Sequence, residues 1–238
     1  MREKVLHNWY KKVIYTKEDW QILRKKRAKA TKIIELLLQE GIRSYVFGSV
    51  ARGDVHPKSD IDIVIFNMIS PFKLEYIIEQ NFKKIYAREI VQATPKHSIK
   101  GHIYIDQETV ITFPLTPFTN LEYEFYRFGG IIKYPEIKDE RKRVLGIDKR
   151  LVLIIPREWG HEEESIIGRE TEIAKLMNLS LNIIKERIRV LTRRDKIGRT
   201  GVFIKLQLDP EGSFDTMFKK LIDKNPAVKR MLRKRGLL

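Results

Sequence analysis

The chain has 238 residues, 42% of them hydrophobic and 33% charged, which allows two modest domains and excludes a disordered or membrane-spanning protein. It has no cysteine, so disulfides and thiolate metal sites are excluded and an oxygen-liganded cation such as magnesium or manganese is favoured over zinc. Lys and Arg number 47 against 31 Asp and Glu, a formal charge of +16, which points to a polyanionic partner with nucleic acid the natural candidate.

The first segment, MREKVLHNWYKKVIY, lacks an uninterrupted apolar core followed by small residues, so no secretory signal is expected and the cytoplasm is the expected location. Thr16 with Glu18 and Asp19 reads as a helix start, and Gly41 as its end. Trp20, Leu23, Ile33 and Leu37 form an apolar stripe on this helix. Its middle carries Arg24, Lys25, Lys26, Arg27, Lys29 and Lys32, a pattern expected of a solvated face. Strands are expected at residues 42–47 and 61–66, separated by a polar loop, and Ser70-Pro71 opens a second helix ending near Asn81. Residues 101–105 and 109–115 read as a hairpin around Asp106-Gln107-Glu108.

Residues 123–156 are irregular in pattern apart from an apolar strand at 151–155 that ends at Pro156, and a boundary is expected within 157–165. Beyond it, helices at 171–177 and 181–193, a turn bracketed by Gly198 and Gly201, and a strand at 202–206 give the outline of a winged helix-turn-helix. The expected architecture is α+β. A small mixed β-sheet with packed helices fills residues 1–156, and a winged helix-like domain with a basic tail fills residues 157–238.

Chemistry concentrates in GSVARGDVHPKSDIDIVI, residues 48–65. A glycine after a strand lets backbone N–H groups approach phosphate, and the adjoining Ser49 adds a hydroxyl donor. Carboxylates at i and i+2 of a strand share one side, so Asp60 and Asp62 can share a divalent cation while Ile61 and Ile63 enter the core. The five histidines are scattered and show no metal-ligand spacing; His161 reads as a surface or capping residue.

This arrangement resembles the DNA polymerase β superfamily of nucleotidyltransferases, whose GS turn and SDxD strand appear here as GSVARG and SDIDIVI. The resemblance implies transfer of a nucleoside monophosphate from a nucleoside triphosphate to an acceptor, with Asp60 and Asp62 catalytic and holding Mg2+ or Mn2+. It implies nucleotide contacts from Gly48, Ser49, Arg52 and Ser59. It also implies a third carboxylate on a later strand, near Ile111, where no acid stands; Asp106 and Glu108 are the nearest candidates.

Lys185, Arg187, Arg189, Arg193, Arg194 and Arg199, with Lys196, make residues 185–199 strongly basic and suited to phosphate or groove contact. The tail from Lys219 to Arg235 is basic too, with apolar residues at helical spacing that suggest part of it packs. Two readings follow: an enzyme acting on a nucleic-acid acceptor, RNA favoured, and a nucleic-acid-binding regulator whose transferase-like domain no longer turns over. A minimal transferase modifying a partner protein ranks last, since it would need no winged helix.

Overall fold

A computed structural model describes residues 4–82, 84–198 and 200–238. In chain order the elements are β1 (Tyr10–Ile14), α1 (Lys17–Gln39), β2 (Ser44–Phe47), α2 (Ser49–Arg52), β3 (Ile61–Ile65), α3 (Pro71–Asn81), β4 (Ala87–Gln92), β5 (Lys100–Asp106) and β6 (Thr109–Pro114). They continue with α4 (Asn120–Gly129), β7 (Ile131–Lys133), β8 (Gly146–Ile147), β9 (Val152–Arg157), β10 (Gly160–Ser165), α5 (Glu170–Met177), α6 (Leu181–Ile197), β11 (Ile204–Gln207), α7 (Phe214–Lys224) and α8 (Pro226–Lys234). The chain is mixed α and β, consistent with a nucleotidyltransferase fold.

Seven strands form the larger sheet in the order β11-β4-β5-β6-β3-β2-β7, and four form a smaller one in the order β1-β10-β9-β8. In the larger sheet β3 and β6 run parallel, whereas β2 and β3 are antiparallel. One face of this sheet carries Ile63, Ile90, Ile103 and Ile111 into a core closed by α1, α3, α7 and α8. The other face carries Val64 against Phe118 and Tyr126, so Asp62, two residues before Val64, stands on this second face.

Local chemistry accounts for the helix starts. Thr16 and Asp19 form a reciprocal capping box on α1, and the Ser70 hydroxyl accepts from the Lys73 N–H at the start of α3, where Pro71 needs no acceptor. The basic stretch of α1 is not simply solvated. Lys26 is 6% and Arg27 4% exposed. Arg27 donates to the carbonyls of Ile137 and Lys142, each at 2.9 Å, and thereby ties α1 to the segment before β8.

The C-terminal expectation is corrected. Helix α5, the turn at Asn178 and helix α6 make a helix-turn-helix, but the strand that should build a wing, β11, pairs antiparallel with β4 at the edge of the larger sheet. Nor does the chain divide at residue 156. The segment 157–165 is the β9–β10 hairpin of a sheet whose outer strand, β1, comes from the start of the chain. Helices α5 and α6 pack on that smaller sheet through Ile173, Ile183, Ile184 and Leu191, whereas α7 and α8 return to the main core through Phe214, Leu221, Val228 and Leu232. His161 is 4% exposed, because its position on β10 faces inward; its Nδ1 lies 2.7 Å from the Tyr15 hydroxyl.

Candidate active site

A cavity of about 420 Å³ opens where β2 ends and β3 begins, against α4, the β8–β9 turn and α6. On one wall, β2 finishes at Phe47 and Gly48 reverses the chain with φ 78° and ψ −142°, a backbone that any side chain would strain. The Gly48 N–H donates to the Gly130 carbonyl at 2.9 Å, which pins the turn to the end of α4. The N–H groups of Ser49 and Val50 open α2, where a helix offers them no intrahelical acceptor.

Across the antiparallel ladder Phe47 pairs with Asp62, so the turn lies beside the acidic strand. A Cβ on Gly48 would sit 4.0 Å from Asp62 Oδ2. Ile61 and Ile63 are buried, as the alternation requires, and Asp60 is exposed at the cavity mouth. Burial first, then the neighbouring charge of Asp60, push the Asp62 carboxyl up to about 6, while Lys149 and Arg52 pull it down. Ser59 is buried, and its Oγ accepts from the His56 N–H at 2.9 Å, which shapes the loop that delivers Asp60.

Arg52 lines the cavity with its guanidinium already engaged. Nε and Nη2 donate to the Asp54 carboxylate at 2.9 and 2.8 Å, and Nη1 donates to the Gly129 carbonyl at 2.6 Å. This fork buttresses the loop after α2 and supplies positive potential from behind.

The third acid is absent from the adjoining strand. Ile111 pairs with Ile63 and points into the core; the position beside Asp62 is Val110. Asp106 and Glu108 reach the other way, to α1: Lys29 Nζ lies 2.7 Å from Asp106, and Lys26 and Lys29 donate to Glu108 at 2.9 and 3.1 Å. The bonds from Lys26 and Lys29 hold Glu108 below its ordinary range. Among the described residues no group of three or more histidines or carboxylates is placed to hold a metal. Asp60 and Asp62 are therefore the pair that could bind a cation, the remaining ligands coming from a bound nucleotide and water.

The opposite wall is cationic. Lys149 projects into the cavity from the turn between β8 and β9. Asp148 Oδ1 accepts the N–H groups of Arg150 and Val152 at 2.8 and 3.3 Å, Oδ2 accepts Arg150 Nε at 2.6 Å, and Arg150 continues to Glu163 at 2.7 Å. Trp9 Nε1 donates to the same Glu163 carboxylate at 2.8 Å. Burial would raise Glu163, but the bonds from His161, Arg150 and Trp9 outweigh it and hold the carboxyl at about 2. Leu151 completes the turn fully buried at φ 61°, a conformation costly for a residue with a Cβ and sustained only by bracing of this kind. Asp148 and Lys149 escape sequence reasoning because DKR before an apolar strand looks like an ordinary charged turn.

Helix α6 sorts its basic residues. Arg187 and Arg194 line the cavity, Arg193 lines a second cavity beyond them, and Lys185 and Arg189 lie exposed on the other side of the helix, offset by about half a turn. Arg199 lies outside the described residues.

Residues 27–108 match the model of the nucleotidyltransferase domain, from the middle of α1 through the GS turn and the acidic strand to the turn before β6. That segment, about a third of the chain, is similar to a nucleotidyltransferase domain, which supports nucleotidyl transfer as the general activity. A search of curated proteins finds no match. Lys149, Arg187 and Arg194 all lie outside the matched segment.

Proposed function

We propose that the chain transfers a nucleoside monophosphate from a nucleoside triphosphate to a nucleic-acid acceptor, with RNA the first acceptor to test and Mg2+ or Mn2+ required. One observation carries the reading: the GS turn and the Asp60–Asp62 pair face Lys149, Arg187 and Arg194 across one cavity. A carboxylate raised first by burial and then by the charge of Asp60 suits a divalent cation, and Lys149 on the wall opposite suits the rest of a triphosphate. Magnesium bound to Asp60 and Asp62 would neutralise phosphate charge during an in-line displacement. Ser49 and the start of α2 grip phosphate oxygens, Lys149 answers the charge on the leaving pyrophosphate, and Phe128 and Ile147 supply apolar wall.

In the reaction the acceptor hydroxyl oxygen bonds to the α-phosphorus and the α–β bridging P–O bond breaks. Pyrophosphate departs with that electron pair and the hydroxyl proton passes to solvent. The alternative, a nucleic-acid-binding regulator with a silent transferase domain, draws on one observation, Val110 in place of an acid beside Asp62.

The test is to incubate the protein with each labelled nucleoside triphosphate, magnesium or manganese, and RNA, DNA or protein from its own cell. Transfer that disappears in the Asp60→Ala, Asp62→Ala double variant is the expected result. Nucleotide binding without transfer to any acceptor would replace the enzyme reading with the regulator.

A further inference from the structure

A second cavity, of about 310 Å³, lies between α6, α4 and the β4–β5 end of the larger sheet, with Thr94, His97, Lys100, Val190 and Arg193 on its walls. Phe125, Arg187 and Arg194 line both cavities, so they form the partition between them. The Arg187 guanidinium carbon stacks 4.9 Å from the centroid of the Phe125 ring. Its Nε is buried with no hydrogen-bond partner among the described residues, and the Glu186 carboxylate stands 3.7 Å from Nη1. Burial destabilises the charged form of Arg187; the charge of Glu186 partly offsets this, and that of Arg194 adds to it less strongly. A buried guanidinium nitrogen without an acceptor is costly, and a bound anion would supply one.

Glu186 stands on the same wall and pairs with Arg187 Nη1 but leaves Nε without an acceptor, and Glu122 is engaged elsewhere. Glu122 receives Ser98 Oγ at 2.6 Å and the Thr119 N–H at 3.1 Å, and lies 3.7 Å from Lys100 Nζ. With Lys100, Arg187, Arg193 and Arg194 against Glu122 and Glu186 on its walls, the second cavity keeps a net cationic character, which repels a cationic acceptor and attracts an anionic one.

We propose that this second cavity is the acceptor subsite. It holds the nucleotide that precedes the hydroxyl end of a single-stranded nucleic acid, whose backbone phosphate rests on Arg187 and Arg194 while the end itself reaches Asp60 and Asp62. The inference rests on the nucleotidyl-transfer reading and extends it by assigning the acceptor a place and a form. The size of the cavity, at the lower limit of the ~300–1,000 Å³ usual for ligand pockets, admits one unpaired nucleotide and excludes a duplex. Guanidinium and aromatic faces beside a cationic track are how unpaired strands are held without reading their sequence. On this view α6 does not enter a groove; it forms the rail along which a strand end is fed to the first cavity.

The experiment uses the full chain and short 5′-labelled single-stranded oligonucleotides with a free 3′ hydroxyl, in RNA and DNA forms, beside a blunt duplex of the same sequence. Val190→Trp fills the second cavity from a residue that does not line the first, and Arg193→Ala removes a charge from the second alone. Both variants are expected to weaken single-strand binding ~10-fold or more and to raise the acceptor KM alike, the effect of losing a stacked or charge-assisted contact. Nucleoside triphosphate affinity should stay within about twofold of wild type, Arg193→Lys should recover part of the loss, and the duplex should bind weakly to all forms. The RNA and DNA arms show whether the sugar 2′ hydroxyl contributes.

Unchanged single-strand affinity in Arg193→Ala overturns the proposal even if Val190→Trp does not fold. A selective loss of triphosphate affinity also overturns it, by giving the cavity to the incoming nucleobase. Transfer to a small anionic or protein acceptor with no single-strand binding sinks this inference and leaves the transferase reading standing. Single-strand binding without transfer does the reverse.

Discussion

The two walls of the first cavity are built by different means. The acidic wall comes from one short stretch, in which the positive-φ turn at Gly48 and the alternation along β3 place Asp60 and Asp62 with almost no help from distant residues. The cationic wall has no such local device. Lys149 is presented by a four-residue turn that holds its shape only because Asp148, Arg150, Glu163 and Trp9 form one network spanning the smaller sheet and reaching the start of the chain. A wall written into adjacent residues survives as a recognisable motif. A wall written into tertiary contacts fails when any member of its network is removed.

That contrast predicts that the acidic wall separates activity from stability. Asp62→Asn should reduce transfer at least ~10²–10³-fold, the scale of losing an essential electrostatic contact, measured as single-turnover label transfer. In chelator it should also make the fold more stable at neutral pH. The native-state value of about 6 lies above the ordinary 3.8, so the folded form binds the proton more tightly and ionisation costs stability above pH 6. The melting-temperature gap over wild type should narrow as pH falls through 6 and vanish near 4. A variant that is inactive and also unstable at pH 8 would show Asp62 to be a structural residue. Lys149→Ala comes next, with a loss of ~10–10²-fold in kcat/KM, corresponding to one charge-assisted contact of about 1.5–3 kcal/mol, and no change in melting temperature because the side chain is exposed in the cavity.

The same contrast explains what was legible in the sequence. The capped helices α1 and α3, the strand pair around the GS turn and the β5–β6 hairpin are locally coded and stand where pattern places them, as does the carboxylate pair. Strands β1, β4 and β10 were illegible because their residues carry too many charges to alternate cleanly; Glu162, Glu163 and Glu164 of β10 are satisfied by Arg157, Arg150 and Arg169 from elsewhere in the chain. Helix α4 was missed although the sequence carries its Thr119–Glu122 capping box; it lies in an aromatic-rich stretch whose rings pack on Phe47 and Phe66. The wing failed for a related reason: an isolated strand after a basic helix pairs with whichever edge is free, and here that edge belongs to β4.

On the cationic wall, Glu163→Gln should cost both properties, though less of the activity than Lys149→Ala. The amide keeps the shape of the carboxylate but gives up its charge toward Arg150, for a loss of ~1–3 kcal/mol read by chemical denaturation, with a smaller fall in kcat/KM. Because the native carboxyl is held at about 2, below the ordinary value of 4.5, its contribution is present above pH 4.5 and fades as pH falls toward 2. The variant and wild type should therefore converge in stability over that window. Activity lost in full while stability is kept would mean that Glu163 acts on substrate and is not a brace.

The smallest effect separates the two sides of α6. Lys185 and Arg189 share the helix and the charge of Arg187 but face solvent away from both cavities. If the net charge of +16 alone drew the acceptor, every basic residue of α6 would count about equally, and the double variant Lys185→Ser, Arg189→Ser would weaken single-strand binding as much as a cavity arginine does. If position decides, the double variant should lie within about ±0.5 kcal/mol of wild type in stability and within about twofold in kcat/KM, with only the salt dependence of the association rate reduced. Measured at low and physiological salt, the two cases diverge: long-range attraction fades as screening shortens its reach, whereas a phosphate seated on Arg187 keeps more of its grip because that guanidinium is largely buried, though Arg194 beside it is exposed.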